Sequence, residues 1–100
     1  PVYVGKQKQW EADLKWIELQ VKNATGKILA EKKLSYGGYN LDKKRLGRDN
    51  YTYIIAEIHK AINKHVEKNK RADFTIDDVN KIKQDFNQII SSVEEKISNV

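Results

Sequence analysis

Between Tyr36 and Tyr53 the chain reads YGGYNLDKKRLGRDNYTY, with Lys43, Lys44, Arg45 and Arg48 set between two pairs of tyrosines. Cations beside flat aromatic faces suit an irregular or single-stranded nucleic acid, whose phosphates need charge and whose bases need stacking surfaces. Gly37 and Gly38 would let backbone approach such a ligand closely. A second reading is structural. Tyr51 falls on the apolar face of the following helix, Tyr36 and Tyr39 can continue a strand alternation, and lysines are common on solvated loops. Lys60, Lys64, Lys68 and Arg71 recur along the polar side of that next helix. Glu57 and Glu67 lie close enough to neutralise part of this stripe, so a solvated face is its default reading. The residues expected to contact nucleic acid are Tyr39, Lys43, Lys44, Arg45, Arg48, Tyr53, Lys60 and Lys64.

Other chemistry is thinly represented. His59 and His65 are six residues apart, about 120° around a helix, and cannot chelate one ion as an i,i+4 pair does. No metal and no cofactor is expected. Asp13, Glu18, Gln20 and Lys22 resemble the acidic-x-Lys arrangement of metal-dependent nucleases, and on a strand the last three would share a face. That pattern is also the polar side of any half-exposed strand, so a nuclease ranks a distant third. No Ser/His/Asp set, phosphate-cradling glycine motif or cofactor box is visible.

These residues must be carried by a chain of 100 residues, the size of one small domain. Tyr51, Ile54, Ile55, Ile58, Ile62 and Val66 follow the N-cap candidate Asp49 at helical spacing, which predicts a helix over 50–69. Thr75 and Asp78 form a capping-box pattern before Val79, Ile82, Phe86, Ile89, Ile90, Val93 and Ile97, which predicts a second helix over 76–98. A connection of about six residues makes the pair an antiparallel helical hairpin.

The first third carries two patterns. Trp10, Leu14, Ile17, Val21, Ala24 and Ile28 keep a 4-3 spacing that suits one long helix and an all-α three-helix bundle. Ile17, Leu19 and Val21 alternate with polar residues, and Asn23-Ala24-Thr25-Gly26 has turn composition and several poor helix formers. The turn decides for a β-hairpin over 15–35, strands 15–22 and 27–35. Residues 1–13 stay unassigned or a tail, with Val2-Tyr3-Val4 a candidate third strand. The expected fold is α+β: the hairpin packed on the helical pair, with 36–48 as the basic loop between them. "TGKILAE" followed by further strand and a helix resembles the opening of many ribonuclease-H-like and sugar-kinase folds. "WIELQV" lacks the acidic residue and glycines of those families, so no residue is carried across.

The totals bound the partners. Residues 1–40 carry +3, 41–72 carry +5 and 73–100 carry −3. This is a polar field around a net charge of +5, not the uniform cationic surface of a dedicated polyanion binder. There is no cysteine, which fits a cytoplasmic setting. No apolar run reaches the length of a membrane span, and no membrane partner is expected. The expected function is a small non-enzymatic binding protein, taking nucleic acid through the basic-aromatic loop. The alternative is a protein-protein interaction module (inhibitor, adaptor or homodimer) acting through a sheet edge or the apolar face of the last helix.

Overall fold

The structure, a computed structural model, describes residues 2–42 and 47–98. It consists of three helices, α1 (Val2–Glu31), α2 (Asn50–His65) and α3 (Ile76–Ser98), with a 3-10 turn at Arg71–Asp73. Cross-helix contacts fix their directions. Asp13 meets Lys83, Trp16 meets Phe86 and Lys32 meets Ser98, so α1 and α3 run the same way. Glu57 meets Lys96 and His65 meets Asp85, so α2 runs against α3. The result is an up-down-up bundle measuring 50 × 23 × 22 Å.

The expected β-hairpin does not form, and no strand is present among the described residues. The all-α arrangement is the one adopted. The reason is a comparison of magnitudes. Asn, Thr and Gly inside a helix cost up to about 1 kcal/mol each. Burying a Val, Leu or Ile side chain contributes about 1.5–3 kcal/mol. Val21, Ile28 and Leu29 are all fully buried by the helical register, along with most of Ile17. Thr25 is itself buried, and its Oγ1 donates to the Val21 carbonyl at 2.8 Å, so it brings no unsatisfied hydroxyl into the core. Ile17 and Val21 are one helical turn apart; Leu19 between them is exposed, which ends the apparent alternation. With the strands go the candidate open sheet edge and the likeness to ribonuclease-H-like and sugar-kinase folds.

The other two helices start as their caps dictate. Asp49 Oδ1 accepts the Thr52 N–H at 2.8 Å. Thr75 and Asp78 bond reciprocally, Asp78 N–H to Thr75 Oγ1 and Thr75 N–H to Asp78 Oδ2, which closes the capping box. The helix expected over 50–69 spans Asn50–His65, because Glu67 takes a left-handed conformation (φ 56°) and its N–H turns back to the Lys64 carbonyl. On α3, Val79, Ile82, Phe86, Ile89, Val93 and Ile97 are all buried against Ile54, Ile58 and Ile62 of α2 and the apolar stripe of α1. This part of the last helix's apolar face is therefore taken up by the core of the bundle. No helix among the described residues is long and apolar enough to cross a membrane.

Candidate functional site

Five of the eight residues expected to grip nucleic acid are described, and they are spread over the loop, its end and two faces of α2. Lys43, Lys44 and Arg45 lie outside the described residues. Arg48 is bound inward: its Nε and backbone N–H both donate to the buried Asp42 carboxylate, and its guanidinium lies 5.4 Å from the centre of the Tyr53 ring. Tyr53 packs half-buried against the core. Lys60 sits 3.8 Å from Glu57. Tyr39 and Lys64 are exposed, on different elements.

The described part of the loop locks the start of α2. Asn50 is fully buried. Its Oδ1 accepts from the Asn40 and Leu41 N–H groups, and its Nδ2 donates to the Ser35 carbonyl and Asn40 Oδ1. Gly38 is placed against this hub, where an added Cβ would fall 3.0 Å from Asn50 Nδ2. Its close approach serves the chain itself. Tyr36 stacks on Tyr51 with ring centres 5.2 Å apart.

A better concavity lies at the other end of α2. Leu14, Ile17, Ile62 and Phe74 form the floor of a groove of ≈ 440 Å³ between α1, α2 and the α2–α3 connection. Its rim carries Glu18, His59, Asn63, Asn69, Lys70 and Arg71. The 4-3 spacing of α1 puts Leu14 and Ile17 on the floor and Glu18 on the flank nearest the connection. Arg71 approaches Glu18 at 3.5 Å across the groove, and Asn63 Nδ2 donates to the Asn69 carbonyl. Trp10 pins the connection beneath, its Nε1 donating to the Phe74 carbonyl at 3.1 Å. Desolvation first and the Arg71 charge second hold the His59 imidazole below its ordinary pKa, with Glu18 opposing. The rim thus presents the His59 ring, two amides, one ion pair and the Lys70 ammonium around an apolar floor, the composition of a site for a largely apolar group with a few polar contacts.

The nuclease arrangement is lost with its strand. Asp13 accepts from Lys83 on the α3 side of α1, whereas Glu18 faces Arg71 on the α2 side, so the two carboxylates diverge. His65 is bonded to Asp85 at 2.9 Å, well away from His59. Among the described residues no group of three or more His, Asp or Glu side chains could hold a metal ion. The groove residues of α1 were visible in the sequence as a helical stripe, but the turn composition at 23–26 hid the helix that aligns them. Phe74 and Asn69 gave no signal, since they act through an irregular connection. No family model, curated protein or solved structure matches the chain.

Proposed function

We propose that the chain is a non-enzymatic, cytoplasmic protein-interaction module that takes an apolar side chain of its partner into the groove between α1, α2 and their neighbouring connection. The observation that carries this reading is the floor of Leu14, Ile17, Ile62 and Phe74 open beneath a polar rim. The charge distribution supports the choice over nucleic acid. Arg48, Lys60 and Lys68 each have a carboxylate partner, in Asp42, Glu57 and Asp78. Cations held this way are less available to release counterions from a polyphosphate.

The test is to pan a displayed peptide library against the protein and measure the enriched peptides by calorimetry. They are expected to carry a large apolar anchor. Asn69→Trp, which fills the groove from its exposed rim, should weaken them roughly tenfold or more, as loss of a central anchor pocket does. Tyr39→Ala should leave them unchanged. In parallel, single-stranded DNA, duplex DNA and structured RNA are titrated at low and near-physiological salt. Weak binding that disappears with salt is expected; salt-resistant preference for one polymer would overturn the reading in favour of nucleic acid.

A further inference from the structure

Four lysines of α1 have no ion-pair partner among the described residues, as is also true of Lys33, Lys64, Lys70 and Lys81 elsewhere in the chain. Lys8, Lys15, Lys22 and Lys27 are exposed and make no ion pair or hydrogen bond, although α1 also carries Glu11, Asp13, Glu18 and Glu31. Asp13 and Glu18 are drawn to Lys83 and Arg71 on neighbouring elements, and Glu11 accepts from Gln7. Three of the four acids are thus engaged while the lysines stand outward. Lys8, Lys15 and Lys22 are seven residues apart and form one row about 21 Å long.

Beside that row are the two large exposed apolar side chains of α1 among its described side chains, Trp16 at 40% and Leu19 at 55%. With Ala12 and Asn23 they follow a 4-3-4 spacing and share an arc of about 60°. This is the spacing of a helix-packing seam, and it is separate from the stripe that α1 buries in its own bundle. Trp16 is already fixed: its ring meets Phe86 edge-on at 6.0 Å, and Lys83 Nζ lies 5.9 Å from its centre. A partner would find an ordered anchor.

We infer that this outward face of α1 is a second docking surface, built for an acidic amphipathic helix of a partner protein. Its seam would cover Trp16 and Leu19, and its carboxylates would meet Lys8, Lys15 and Lys22. Charge complementarity selects this occupant over a second copy of the chain. Two α1 faces brought together would set lysines against lysines. The outward side of α3, with Asp77, Gln84, Gln88 and Glu95, is polar and has no seam to offer Trp16 and Leu19.

The probe is a synthetic 21-residue helix (about five to six turns) with leucine at its seam positions and glutamate beside them. Its scrambled sequence, of equal charge, is the control. Titration is followed by calorimetry and by amide chemical shifts. Shifts confined to α1 between Lys8 and Asn23, and roughly tenfold weaker binding of the scrambled peptide, are expected. Leu19→Ser and the pair Lys15→Glu with Lys22→Glu should each weaken the helix by a similar factor; both alter exposed positions and leave the melting transition nearly unchanged. Equal binding of the scrambled peptide, shifts elsewhere or no binding would overturn the inference. So would tighter binding to phosphatidylglycerol vesicles than to the helix, which would make the face a lipid contact. Asn69→Trp should leave this binding intact. If it abolishes it, the probe sits in the groove, and the inference fails while the groove reading gains.

Discussion

Asn50 is the residue on which most of the connection between α1 and α2 depends. Its amide satisfies two backbone N–H groups, one carbonyl and one side-chain oxygen while fully buried. Removing it leaves those groups without the partners that hold the connection against α2. Asn50→Ala is therefore expected to lower stability by about 2–4 kcal/mol, read as a shift of the urea midpoint. Asn50→Asp keeps the acceptor but sets a buried carboxylate oxygen against the Ser35 carbonyl and Asn40 Oδ1, which need a donor, so at neutral pH it should cost at least as much. None of this was legible in the sequence, where Asn50 was one more residue after an N-cap. The same letters that suggested a grip, Gly38 and Arg48 among them, turn out to serve the hub and the Asp42 carboxylate. Glycine and paired charge look alike in sequence whether the close approach is to a ligand or to the chain itself.

At the scale of elements, the helices with strong one-sided patterns and caps were readable, and α1 was not. Its buried stripe was there at 10, 14, 17, 21, 24 and 28, but exposed Trp16 and Leu19 blurred its polarity and Gly26 argued for a turn. The helix ends were obscured for a related reason. Both α1 and α2 close with the doubly bonded left-handed turn that usually calls for glycine, and here Lys33 (φ 55°) and Glu67 (φ 56°) occupy it. The Leu34 and Lys68 N–H groups return to the Leu29 and Asn63 carbonyls. Gly26 has a close neighbour: an added Cβ would lie 2.8 Å from the Tyr36 hydroxyl and 3.9 Å from its Cζ. Gly26→Ala alone should thus gain little from its better helix propensity. Combined with Tyr36→Phe, which removes the crowding oxygen, it should gain about 1 kcal/mol, so a double-mutant cycle by urea denaturation should show positive coupling.

For the whole molecule, carboxylate bridges cross between elements around the apolar core: Asp13 to Lys83, Glu57 to Lys96 and Asp85 to His65 join helices, and Asp78 to Lys68 joins α3 to the α2–α3 connection. Asp78 is held below the usual carboxylate range, first by the Lys68 ammonium and then by the Thr75 N–H. Its unfolded form binds a proton more readily than its folded form. Its contribution is therefore complete above about pH 4 and lost as pH falls through the lowered folded value. Asp78→Asn should flatten the acid limb of melting temperature against pH, with the two proteins converging once Asp78 is protonated. The fold also separates its only two tryptophans by environment. Trp10 is half-buried and hydrogen-bonded to the connection, while Trp16 is more exposed, edge-on to Phe86 and beneath Lys83. Their emission should be resolvable into a blue component and a red one. Trp16→Phe leaves a single fluorophore that reports whether the α2–α3 connection is docked. Trp10→Phe leaves one that watches the outer face of α1, so the molecule carries a native optical readout for each of its two surfaces.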